Sequence, residues 1–179
     1  ASENKRSNYL VLLFPGSEGL ILHSKTNALK NTSLIRIHKK LPFQAIVVGR
    51  KLSMAHGYSK EYRMSEAHTD DIRAVIEHYN PEKRPVFLVG TSRAAISVLS
   101  LAKRLNNTFL SGAILANGSV GHHEVKMMNL NDIHVPFLFV NHLHDRCRSA
   151  SIGKLRDFIA RIHDTIITTL VVVDGGKPA

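Results

Sequence analysis

The sequence predicts an α/β fold, a mostly parallel central sheet of about six strands with helices on both faces. Two observations predict it. Short runs of Val, Ile, Leu and Phe alternate with stretches of helical period, the signature of parallel strands joined by crossover helices. The runs themselves are near-continuously apolar rather than alternating, as strands covered on both faces require.

Taken in order, the strands are read at residues 9–14, 45–48, 86–89, 113–115, 137–140 and 166–173. Between them, Ile72, Val75, Ile76 and Tyr79 fall at i, i+3, i+4 and i+7, and Ala95, Val98, Leu99 and Ala102 repeat that spacing. Ile152, Leu155, Ile159 and Ile162 mark a third amphipathic helix, and residues 31–40 a weaker fourth. Pro81 and Pro85 bracket a connection, and Asn106-Asn107 ends the helix after the third strand. With no repeat, linker or low-complexity stretch, residues 1–179 read as one domain.

Composition agrees. A chain of 179 residues with 44% hydrophobic residues is the size of an ordinary domain and buries a real core. Its apolar runs, such as residues 10–14 and 170–173, are far shorter than the roughly 20 residues a membrane-crossing helix needs. Residues 1–8 are polar and lack the charged start and apolar core of a secretory signal, although one removed earlier stays open, so the compartment is left undetermined. The formal charge of +10 is scattered along the chain. It permits general attraction to anions, but there is no zinc-finger spacing, aromatic RNA-binding motif or basic amphipathic helix to make nucleic acid a specific partner. Cys147 is the only cysteine, so neither an internal disulfide nor a cysteine-rich metal site can form.

The chemistry-bearing segment is Val86-Phe87-Leu88-Val89-Gly90-Thr91-Ser92-Arg93-Ala94-Ala95, a strand, a sharp turn and a helix start with a serine at the turn. Such a serine projects its hydroxyl above the sheet, beside helix amides that stabilise an oxyanion. Strand and helix approach closely there, so small neighbours are needed two residues either side. Gly90 fits, whereas Ala94 departs from the usual glycine. The simpler alternative is that Ser92 only caps the helix.

Two further segments converge on the same edge. Phe14-Pro15-Gly16-Ser17-Glu18-Gly19 follows the first strand, and the amide of Ser17 paired with that of Arg93 would make a two-donor oxyanion hole. An ordinary Pro-Gly turn is the alternative. Val135-Pro136-Phe137-Leu138-Phe139-Val140 leads through Asn141-His142-Leu143-His144 to Asp145, placing a carboxylate where the orienting acid of a serine, acid, histidine order falls. Asp145 as a plain loop residue is the alternative.

The order Pro-Gly-Ser-Glu-Gly, Gly-Thr-Ser-Arg-Ala and Val-Pro-Phe-Leu-Phe-Val with its acid resembles the α/β-hydrolase superfamily, particularly its small, lid-poor esterase and dienelactone-hydrolase-like members. The resemblance spans nearly the whole chain. It implies a minimal α/β-hydrolase fold, Ser92 as nucleophile, Asp145 as acid, and cleavage of a small ester or related acyl bond without metal or organic cofactor.

One part of that pattern is missing. The family's histidine follows the last strand, but after residue 173 only Asp174-Gly175-Gly176-Lys177-Pro178-Ala179 remain. Chemistry sits at the C-terminal strand ends of a parallel sheet, so His38, His78 and His163, which end helices, and His134, which precedes a strand, belong at the other edge. His23, His56, His68, His122, His123, His142 and His144 belong near the upper edge, with His122 and His123 the best substitutes for the base. The expectation is a histidine beyond Ala179, with Cys147 also having a partner downstream; the alternative is a catalytically incomplete binding domain for an acidic ligand.

Overall fold

Strands form where the sequence is β-branched or apolar at every position, because a strand inside a parallel sheet meets side chains on both faces. The computed structural model describes residues 7–17, 34, 38–49, 54 and 57–175. Among them are six strands: β1 (Leu10–Phe14), β2 (Gln44–Val47), β3 (Val86–Ser92), β4 (Gly112–Gly118), β5 (Phe137–His142) and β6 (Thr168–Val173). All pair in parallel, in the order β2-β1-β3-β4-β5-β6. Each agrees with its expected segment, with β3, β4 and β5 extending further towards the C-terminal edge than the apolar runs alone indicate.

The helices are α1 (Lys60–Met64), α2 (Glu66–Tyr79), α3 (Ala95–Phe109), α4 (His123–Lys126) and α5 (Ile152–Ile159). Within α3, Asn106 leaves helical geometry at φ 38°, ψ −152°, so the predicted stop is a kink followed by one last turn. Of the weaker helix at 31–40, only Leu34 and a 3-10 turn at His38–Lys40 lie within the described residues.

The alternation of β1 divides the core. Leu10, Leu12 and Phe14 join Leu88, Phe139, Ile72, Leu99, Leu155 and others from α2, α3 and α5 on one face. Val11 and Leu13 gather Leu34 on the other, with Tyr9, Phe43 and Phe87 packed around them. β6 departs from the expectation of burial on both faces: Val171, Val172 and Val173 are 43%, 39% and 43% exposed, because this edge strand pairs with β5 alone among the described residues. No helix among the described residues is long and apolar enough to cross a membrane.

Candidate active site

β3 delivers Ser92 to the upper edge in an unusual backbone conformation. Its φ is 50°, the left-handed region that disfavours any residue bearing a Cβ. The ladder breaks at the same point: Thr91 pairs with Ala116 but Ser92 with Gly118, and the Ser92 carbonyl accepts a 2.9 Å hydrogen bond from the Ser119 amide. The Ala94 amide then donates to the Thr91 carbonyl at 3.0 Å, closing the turn into α3. Ala94 occupies the N-cap position with no side-chain cap bond, so Ser92 is not the helix cap; it stands exposed above the sheet.

The small residues around it have a steric explanation. A Cβ on Gly90 would lie 2.7 Å from Cγ2 of Val98 and 3.3 Å from the Ala94 carbonyl oxygen. Ala94 is fully buried but sits at φ −64°, ψ −12°, where a methyl group brings no strain. This is why alanine serves where the sequence pattern leads one to look for glycine.

The loop after β1 reaches the same turn. A Cβ on Gly16 would come within 2.8 Å of Cβ of Ser92 and 3.0 Å of the Thr91 carbonyl oxygen, and Ser17 itself has φ 54°. Ser17 and Arg93 are therefore each one residue from the Gly16–Ser92 contact. Glu18 and Gly19 lie outside the described residues.

Behind this loop is an arrangement that sequence reasoning missed. Ser65 ends α1 and begins α2: its hydroxyl donates to the Tyr62 carbonyl at 2.8 Å and accepts from the His68 amide at 3.2 Å. The bend turns Arg63 inward, where it is 1% exposed. Its Nη2 donates to the Ser17 carbonyl at 2.8 Å and its Nη1 to the Ser97 hydroxyl at 2.9 Å. The guanidinium lies 5.4 Å from the centroid of the Tyr58 ring, a cation–π distance. Tyr58 stacks on Tyr62, and the fully buried His68 packs against both and against the edge of Phe14. His68, read as an upper-edge candidate, is fully buried within this aromatic group. The only sequence trace of this group is the pair of helix-start serines, Ser59 and Ser65.

Tyr58 donates to the Gly49 carbonyl, and burial, then Asp71, push its phenol up to about 12 against the opposing pull of Arg63. An unfolded tyrosine ionises near pH 10 while the folded one keeps its proton. Stability supplied by Tyr58 is therefore full below pH 10 and falls between pH 10 and about 12, with a slope of roughly 1.4 kcal/mol per pH unit. Denaturant melts across that range check this, and Tyr58→Phe should flatten the slope.

The loop that carries Asp145 is built separately. The Asn117 side chain, at a residue with φ 48°, accepts from the His142 amide at 3.0 Å, and buried Asn141 donates to the Ala150 carbonyl at 3.0 Å. Asp145 is half-buried, and its Oδ1 accepts from the Cys147 amide at 2.8 Å, holding the turn. β4 lies between β3 and β5, so the strands that lead to Ser92 and to the Asp145 loop are two strand spacings apart, roughly 10 Å.

The histidines divide as follows. His142 has Nε2 3.0 Å from the Gly175 carbonyl and Nδ1 accepting from the His144 amide, and exposed His144 lies 3.6 Å from Asp174. His123 is exposed at the start of α4. His122, half-buried beside the Lys60–Glu124 ion pair (2.7 Å), is held below its ordinary range by burial and by Lys60 and Arg93, with Glu124 opposing. Arg93, whose charge acts on His122, is the residue next to Ser92. His23 and His56 lie outside the described residues.

None of the known family models matches the sequence, and no curated protein matches it. Solved structures do. An α/β serine hydrolase homologue from Coxiella burnetii aligns with a TM-score of 0.63 at 13% identity, over 95% of this chain and 76% of that one. An α/β serine hydrolase without lid from Xanthomonas campestris gives 0.63 at 15% identity, over 94% and 72%. A cold-adapted esterase from an Arctic intertidal metagenomic library gives 0.56 at 17%, over 94% and 74%. The chain has the α/β-hydrolase fold.

Proposed function

We propose that the protein is a serine hydrolase that cleaves a small ester or related acyl bond. Ser92 attacks the carbonyl carbon, the amides of Ser17 and Arg93 hold the oxyanion, and Asp145 orients a histidine that takes the serine's proton and passes it to the leaving alcohol. The observation that supports this reading is the left-handed, exposed Ser92 with Gly16 of the loop after β1 packed directly against it.

We place the base on the segment that follows β6. The Leu143 amide donates to the Val173 carbonyl at 2.9 Å and His142 meets Gly175, so the chain leaving β6 runs beside the Asp145 loop.

The test is labelling of the full-length protein with a fluorophosphonate, which phosphonylates an activated serine. A single adduct on Ser92, mapped by peptide mass, is expected. Absence of an adduct, together with saturable retention of a small carboxylate ligand, would instead establish an incomplete hydrolase that only binds.

A further inference from the structure

We propose that Arg63 is a positioning residue for the oxyanion hole, an inference that rests on the serine-hydrolase reading. The two amides assigned to the hole, those of Ser17 and Arg93, lie on two separate segments. One is the loop after β1; the other is the turn into α3. Arg63 grips both: one nitrogen holds the Ser17 carbonyl and the other holds Ser97, in the first turn of α3. A planar guanidinium fixes two acceptors at a set separation, which a single ammonium cannot do. Burial strengthens the effect, since a desolvated hydrogen bond from a cation is stronger and more directional than one in water.

The Ser17 carbonyl is the sensitive point. Ser17 has φ 54°, so its loop is held in a conformation that serine does not favour by itself. A bond from a buried cation to that carbonyl anchors Ser17, the residue whose amide is assigned to the hole. During acylation the Ser92 Oγ–carbon bond forms, the carbonyl π pair moves onto oxygen, and the serine proton goes to the base. As the tetrahedral species collapses, the bond to the alkoxide breaks and that oxygen takes the proton. Arg63 touches none of these atoms; it holds in place the donors that receive the negative charge.

The experiment compares p-nitrophenyl acetate with its thionoacetate analogue in the full-length protein. A thiocarbonyl sulfur is a poor hydrogen-bond acceptor, so the oxygen-to-sulfur rate ratio reads the oxyanion hole itself, which general loosening of the fold does not change selectively. For Arg63→Lys, kcat on the oxygen ester should fall roughly 10²-fold with KM changed less than about threefold, and the rate ratio should fall about tenfold. Ser97→Ala keeps the cation and removes one anchor; it serves if the lysine variant does not fold, and should lower the ratio by about threefold. A folded variant with an unchanged ratio, whether or not kcat drops, overturns the assignment. A wild type that neither takes the fluorophosphonate nor turns over either ester overturns the hydrolase reading first, and this inference with it.

Discussion

Alanine at position 92 should lower turnover of p-nitrophenyl acetate by about 10⁶-fold and abolish fluorophosphonate labelling, the size of effect that loss of an attacking serine has elsewhere. Stability should move independently. Ser92 is exposed and its backbone is left-handed, so removing the hydroxyl deletes no packing and leaves the strain in place. Glycine at the same position relieves that strain and should stabilise the fold by about 1 kcal/mol, a rise of roughly 2–4 °C in Tm for a domain of this size. Paired measurements of turnover and thermal unfolding check both halves. A glycine variant less stable than wild type would show that the conformation is not strained, and the strongest support for the nucleophile would go with it.

Gly16→Ala should cost activity without touching any reacting group. The new methyl meets Cβ of Ser92 at 2.8 Å and backbone oxygen of Thr91 at 3.0 Å, and neither is the movable end of a long side chain. The loop must shift, and a displacement of about 1 Å in positioned donors lowers kcat by roughly 10²-fold. Gly153 provides the contrast. It is the second residue of α5 with nothing within 4 Å of its added Cβ, so Gly153→Ala should leave kcat unchanged while helix propensity raises stability by less than the roughly 1 kcal/mol of a helix interior. If both variants lose activity equally, steric crowding at Gly16 is not the cause.

Much of the fold was legible because parallel strands carry their own signal: Leu10, Leu12, Leu88 and Phe139 stand in apolar runs that few other structures need. Ser92 and its turn were legible for the same reason, since Gly90 and Ala94 record how closely strand and helix pass. Arg63 was not. In the sequence it is one of 24 basic residues, and its burial comes from a helix break at Ser65 and from Tyr58, His68 and Ser97 on different elements. His68 shows the converse: an upper-edge candidate by its position in the chain, it is fully buried near the start of α2, one turn ahead of the apolar stripe that begins at Ile72. β6 reads as a doubly covered strand because its β-branched run is a property of the segment, whereas exposure depends on what lies beside it.

The strand order also governs how the chain acquires its shape over time. β1 precedes β2 and β3 in the chain, yet it lies between them in the sheet, and Leu10 acquires its partner Val86 only after the intervening chain has been made. Among the described strands no adjacent pair is a hairpin, so each of their pairings waits for closure of a long loop, and such topologies fold on the millisecond-to-second scale, roughly. On the ribosome, Gly16 remains without its contact until Ser92 has emerged. The two halves of the proposed oxyanion hole thus meet late, and translation pausing between the codons for Phe14 and Ser92 would prolong the interval in which β1 is a bare apolar strand.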